Sequence, residues 1–219
     1  MKKDNIKLAY LPSPGVVKLR LSGYGEDERK VLISISNKIN ELKTIIGDYI
    51  FGYEKEELNQ LVGNILLESS NTLSTAESCT GGYIAHLITS VPGSSAYFKG
   101  SVIAYDNEVK ITKLGVERSS IDQKGAVSQE VAEQMAVGAI SEFETDYSIA
   151  TSGILGPDGG SDEKPTGTIW IAVASDSGVI SQKLRLGNSR IRNAHITALT
   201  SLNMLRTYIL SHQRSTLKC

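Results

Sequence analysis

The sequence predicts an α/β protein: a three-layer α/β/α domain built on a mixed sheet, preceded by a small α+β domain. Two observations carry that reading. From about residue 55 onward, short apolar segments alternate with segments of helical periodicity, the pattern of a sheet covered by helices. Charge also divides the chain, since residues 1–50 carry nine Lys/Arg against six Asp/Glu, whereas residues 51–219 carry fourteen against eighteen. The expected domains are 1–54 and 55–212, with a tail at 213–219.

In the first domain, Pro12-Ser13-Pro14-Gly15 reads as a turn, and Val17-Lys18-Leu19-Arg20-Leu21 alternates as a half-buried strand does. Val31, Ile35, Ile39, Leu42 and Ile46 recur at helical spacing up to Gly47, a natural stop. Residues 49–53 (Tyr-Ile-Phe-Gly-Tyr) read as a second strand. In the second domain, Leu58, Leu61, Val62, Ile65 and Leu66 form a helical stripe. Strands are expected at 72–76, 100–105, 147–152 and 169–173, and 179–186 is expected to pair with the last as a hairpin. Helices are expected from the 77–82 turn to about Ser90, near 107–114, at 129–143 and at about 191–211.

Composition removes several function classes. A net charge of −1 and a pI near 6.3 argue against a protein that grips nucleic acid along its whole surface. Two cysteines, Cys79 and Cys219, make neither a disulfide scaffold nor a cysteine zinc site. No run approaches the roughly 20 apolar residues of a membrane span, and Asp4, Lys7 and Pro12 break any signal-peptide core. The expectation is therefore a cytoplasmic protein with no membrane partner. No ligand set for a metal is seen, and no cofactor is called for.

Three segments have the residue types for chemistry. Glu77-Ser78-Cys79-Thr80-Gly81-Gly82 joins a strand to a helix, where glycines admit a ligand and helix N–H groups point at it. A plain N-cap beside a glycine turn fits this hexapeptide at least as well. Tyr105-Asp106-Asn107-Glu108-Val109-Lys110 places a lysine one turn into a helix. Such a lysine activates a serine only if desolvation holds it neutral, and otherwise it is a solvated surface residue. Ser152-Gly153-Ile154-Leu155-Gly156-Pro157-Asp158-Gly159-Gly160-Ser161 is dense enough in glycine to wrap a phosphate or ribose. It matches neither the P-loop nor the dinucleotide fingerprint. Arg190 and Arg192, at the mouth of the last helix, are candidates for a phosphate fork.

Taken together, these motifs resemble the CinA family (competence/damage-inducible proteins), specifically its C-terminal nicotinamide-nucleotide amidohydrolase domain. The resemblance rests on Thr75-Ala76-Glu77-Ser78-Cys79-Thr80-Gly81-Gly82, Pro92-Gly93-Ser94-Ser95, Tyr105 with Asn107 and Lys110, Gly125-Ala126-Val127-Ser128, and Ser152 through Trp170. Upstream, Tyr10 to Gly15 and Gly47 to Gly52 resemble the small KH-like linking domain of longer CinA proteins. Nothing corresponds to the first domain of those proteins, which is associated with pyrophosphatase activity. The chain is therefore expected to be a CinA protein without that domain.

The resemblance implies a nicotinamide mononucleotide deamidase that yields nicotinate mononucleotide and ammonia. It implies Ser78 as nucleophile, Lys110 as base, and Tyr105 beside them to orient or donate. Glu77, Thr80, Gly81, Gly82, Asn107, Ser152, Gly153, Gly156, Gly159, Gly160, Arg190 and Arg192 are the expected substrate-binding residues, and a homo-oligomer is expected. Leu155 departs from the small residue usual in the family. Asn188-Ser189 replaces the common Asp-Arg, which leaves the phosphate assignment open between Arg190 and Arg192. The linking domain has Gly23 to Glu28 in place of a basic Gly-x-x-Gly loop, which argues against RNA as a partner.

Two other readings stand beside this one. A cysteine amidase would use Cys79 with His86 or His195 as partner. A non-catalytic scaffold linked to competence or DNA damage would bind partners without hydrolysis.

Overall fold

A computed structural model describes residues 5–216; the side chains of Asp48 and of 213–216 lie outside the description. The chain divides into two compact units, Met1–Glu54 and Lys55–Cys219.

In the first unit, β1 (Ile6–Ser13) and β2 (Val16–Gly23) form an antiparallel hairpin, followed by α1 (Glu28–Ile46). Gly15, at φ +82°, makes the tight turn between the strands. Asp27 caps α1 by accepting from the Lys30 amide at 3.2 Å. Gly23 lets the helix sit close, because a Cβ there would come within 2.6 Å of Val31. The strand expected at 49–53 does not form. Gly47–Tyr49 is one turn of 3-10 helix, and Tyr49 and Tyr53 are exposed. Their alternation with Ile50 and Phe51 imitates a strand, but neither tyrosine is buried against a sheet. The turn signal at Pro12-Ser13-Pro14-Gly15 overlaps the end of β1, and no strand is expected over 6–11, where one forms.

The second unit is a mixed five-stranded sheet in the order β4-β3-β5-β6-β7. Its strands are β3 (Leu73–Glu77), β4 (Phe98–Ile103), β5 (Tyr147–Gly153), β6 (Thr168–Ser175) and β7 (Gly178–Arg185). The strands β4, β3 and β5 run parallel, and β6 and β7 return antiparallel as the expected hairpin. α2 (Leu58–Glu68), α3 (Tyr83–Thr89) and α7 (Arg190–Thr216) cover one face. α4 (Asn107–Leu114), α5 (Arg118–Lys124) and α6 (Gln129–Phe143) form the other layer, with α6 lying along the strands. α7 runs beyond the expected end at 211, into residues assigned to the tail; 217–219 lie outside the described residues.

The α6 face is packed with small side chains. Ala76, Ala150, Ala172 and Ala174 of the strands meet Ala132, Ala136 and Ala139 of the helix. Such residues allow helix and sheet to approach closely. Ser74 and Ser148 exploit this by donating to the Ala139 and Ala136 carbonyls at 3.2 and 2.6 Å. Gly138 brings α4 equally near, since a Cβ there would lie 1.9 Å from the Leu114 carbonyl oxygen. The position of α4 matters because it carries Lys110.

Candidate active site

The three parallel strands end side by side. β3 runs into Ser78, β4 into Tyr105, and β5 into the glycine-rich loop. β3 lies between the other two, so the chain turns one way to β4 and the other way to β5, the arrangement at which α/β sheets bind ligands. A cavity of about 270 Å³ opens there. Ser78, Tyr105, Asn107, Lys110, Ser152, Gly153, Gly156 and Arg190 line it, as do Cys79, Ala126, Val127, Leu155 and Asp158.

Lys110 is 2% exposed. Its Nζ donates only long hydrogen bonds, at 3.4 Å to the Tyr105 carbonyl, 3.5 Å to the Asp106 carbonyl and 3.4 Å to Asn107 Oδ1. None of these acceptors is charged, and among the described residues no carboxylate forms an ion pair with the amine. Burial lowers its pKa below the ordinary lysine value, against smaller opposing effects of Asp106 and Cys79. A buried amine held toward its neutral form has the lone pair that a general base needs.

Ser78, also buried, sits in a turn fixed by hydrogen bonds. Its amide donates to the Thr151 carbonyl at 3.0 Å, and its carbonyl accepts from Gly81 at 3.2 Å. Glu77 corrects an expectation. Its carboxylate is 0% exposed, does not line the cavity, and caps α3 by accepting from the amides of Gly82, Ile84 and Ala85 at 3.0, 3.1 and 2.8 Å. Thr80 is likewise occupied elsewhere, its Oγ1 lying 2.7 Å from Thr151 Oγ1. Gly81 and Gly82, at φ +61° and +94°, shape the turn and do not line the cavity. With the Ser78, Gly81 and Gly82 amides committed, only those of Cys79 and Thr80 remain in this turn for an oxyanion.

Cys79 also lines the cavity, with its thiol held toward the protonated form. Burial pushes its thiol up to about 12, and the nearby Glu77 charge adds to the shift; hydrogen bonds from Thr151 and from the Cys79 and Thr80 amides offset only part of it. No histidine lines the cavity. His195 Nδ1 is 3.0 Å from the Tyr83 hydroxyl, and His86 stacks on the same ring.

The two arginines separate cleanly. Arg190 lines the cavity, donating to the Tyr105 hydroxyl at 2.8 Å and to the Gly156 carbonyl at 3.2 Å. Arg192 is exposed and does not line it. Gly159 and Gly160 also fall outside the lining, so the loop meets the cavity through residues 153–156 and Asp158. Ser152 has a scaffolding contact, its hydroxyl donating to the Ala126 carbonyl at 2.6 Å. Lys164 Nζ donates to the Lys124 carbonyl, so the Ala126-Val127 wall is held from both sides. The sequence does not single out Asp158, Ala126 and Val127 as site residues, although the glycine-rich loop and the Gly125-Ala126-Val127-Ser128 motif that contain them are both legible in it.

Comparison with known proteins identifies the family and the fold. A family model described as the CinA C-terminal domain matches residues 55–209, and one described as the damage-inducible protein CinA KH domain matches residues 1–52. The chain belongs to the CinA family. A CinA-like protein of Cytophaga hutchinsonii is 46% identical over 199 residues, covering 91% of this chain and 48% of its own length. A CinA-like protein of Flavobacterium psychrophilum is 45% identical over 208 residues, covering 94% and 50%. The chain thus spans about half the length of the curated relatives it matches. The crystal structure of the competence/damage inducible protein CihA from Agrobacterium tumefaciens superposes with a TM-score of 0.68 at 37% identity, covering 72% of this chain and 97% of that one. Among the described residues of this CinA chain, no helix is long and apolar enough to cross a membrane.

Proposed function

We propose that this CinA chain is a nicotinamide mononucleotide amidohydrolase working by a Ser78/Lys110 mechanism. The observation that carries the reading is the pairing, in one cavity, of a hydroxyl on a fixed strand-exit turn with a buried lysine that forms no ion pair among the described residues. Lys110 accepts the Ser78 proton as Oγ attacks the carboxamide carbon, and the Cys79 and Thr80 amides stabilise the oxyanion. Collapse breaks the C–N bond, and Lys110 returns the proton to the departing ammonia. Water then attacks the acyl-serine, again deprotonated by Lys110, releasing the carboxylate product and restoring both residues. Arg190 supplies the cation for the phosphate, with residues 153–158 around the ribose. Tyr105, hydrogen-bonded to Arg190 and carrying the carbonyl that Lys110 approaches, orients both ends. A cytoplasmic setting and a homo-oligomer belong to the same reading.

The direct test is incubation with nicotinamide mononucleotide, reading ammonia release and nicotinate mononucleotide by chromatography. Turnover is expected from the wild type and is expected to vanish in Ser78→Ala. A wild-type chain that releases no ammonia above the blank would sink the proposal, and so would a Ser78→Ala chain with undiminished turnover.

A further inference from the structure

Ser78 and Cys79 are neighbours on one turn, both line the cavity, and a thiolate is intrinsically the better nucleophile. Something must decide between them. The residue just before them is a carboxylate with no exposed surface and three backbone N–H partners. A carboxylate so held stays in place, and its three bonds draw residues 82–85 back onto residue 77. The four-residue span between, 78–81, is thereby closed into a rigid loop. Within that loop the Gly82 amide is consumed by Glu77 and the Gly81 amide by the Ser78 carbonyl, so the bonds of Glu77 set where the remaining Cys79 and Thr80 amides stand relative to Ser78.

We propose that Glu77 is a positioning residue that makes Ser78, and not Cys79, the nucleophile of this turn. Its carboxylate fixes the loop so that Oγ of Ser78 is presented to the substrate. Its negative charge, a short way from the sulfur, disfavours the thiolate. Burial is the larger cause of the inert thiol, and the Glu77 charge reinforces it. A glutamine at 77 would keep one oxygen but turn an NH2 group toward N–H donors, so at least one of the three amides would lose its acceptor. The inference rests on Ser78 being the nucleophile, yet half of it is measurable without any substrate.

The experiment uses the full chain with Cys219→Ser, so that Cys79 is the sole thiol, together with Glu77→Gln and Glu77→Asp in that background. Two readouts are taken: kcat and KM for nicotinamide mononucleotide, and the rate of Cys79 alkylation by iodoacetamide from pH 7 to 10. Glu77→Gln is expected to lose about 100-fold in kcat with KM within about threefold, the signature of a misplaced nucleophile. Its Cys79 is expected to alkylate at least about twofold faster at pH 9, the direction that loss of the Glu77 charge requires. Glu77→Asp, which keeps the charge, is expected to hold alkylation slow and recover part of kcat.

Unchanged kcat in Glu77→Gln, or a change confined to KM, overturns the positioning role. Alkylation equally slow in all three chains overturns the charge effect. Should Glu77→Gln not fold, the wild-type profile still decides: Cys79 that alkylates at pH 8 as fast as a free thiol ends the proposal. If the wild type hydrolyses nothing, the functional reading fails by itself, and the alkylation series still reports on Glu77.

Discussion

The two walls of the cavity are built by opposite means. On one side, residues 77–80 are buried and tied to backbone groups, and Lys110 reaches in from beneath the exposed 105–108 segment, so this wall carries a carboxylate and an amine with almost no solvent contact. On the other, residues 156–160 form a loop with left-handed glycines at 156 and 159, an exposed Asp158 and one arginine reaching in from α7. Desolvation shifts proton affinities, so acid–base chemistry belongs on the first wall. An exposed, glycine-rich backbone admits a polar ligand, so recognition belongs on the second. If that division is correct, substitutions on the two walls will fail in different ways.

The largest effect is expected at Lys110. Replacement by Met removes the proposed base and should cost about 10³-fold in kcat with little change in KM. It should also raise stability at neutral pH. Burial lowers the folded-state pKa below the unfolded one, so as pH falls below the unfolded value the unfolded chain binds a proton that the folded chain refuses. Native stability therefore declines with falling pH until the folded pKa is passed. Lys110→Met escapes that loss, and denaturant melts at pH 7 and 10.5 should show its advantage shrinking at the higher pH. By the same sign, wild-type kcat/KM should rise with pH along a limb whose midpoint lies below that of an ordinary lysine. A flat profile would show that Lys110 is not the titrating base.

Leu155 tests the second wall from beneath. It is 3% exposed although the loop around it is open, and its carbonyl accepts from Asn193 at 2.9 Å. The side chain anchors the loop to the core, which explains how a large residue is accommodated where a small one was expected. Leu155→Ala should destabilise by about 2–5 kcal/mol in urea melts and widen the cavity. A loss below 0.5 kcal/mol would mean that the loop does not depend on that anchor.

Arg190 comes next. On the proposed reading, losing its charge-assisted contact to the substrate phosphate should cost about 1.5–3 kcal/mol. In Arg190→Ala this should appear as a rise in KM of roughly 10- to 150-fold, with kcat much less affected. A fall confined to kcat would place Arg190 with the reacting groups instead.

Much of this architecture was legible because buried elements leave strong patterns. β3 is buried along its whole length, and α6 presents Val131, Met135 and Ala139 at helical spacing. Exposed elements left weak ones. α5 buries no residue, and Arg118–Lys124 has a single aliphatic side chain, so nothing in its sequence announces a helix. β1 was obscured by the Pro12 and Pro14 turn signals at its end, and the 49–53 segment imitated a strand with exposed aromatics. At the site, the strand-exit positions of Ser78 and Lys110 could be read, but the work done by Glu77 could not. Its amide partners lie five to eight residues downstream, a reach that depends on how the turn folds back.

The smallest expected effect concerns a distinction that sequence left open. Residues two apart on a helix project about 200° from each other, so Arg190 and Arg192 cannot serve one point equally. Which of them faces the cavity depends on helical phase, and an end uncertain by one or two residues does not fix that phase. In the fold, the first residue of α7 turns to Tyr105 and Gly156, and Arg192 stays in solvent. Arg192→Ala should therefore leave kcat and KM within about twofold and stability within about 0.5 kcal/mol, as an exposed substitution does. A KM rise matching that of Arg190→Ala would show that the phosphate is held from solvent by both arginines, and the recognition wall would then extend beyond the cavity.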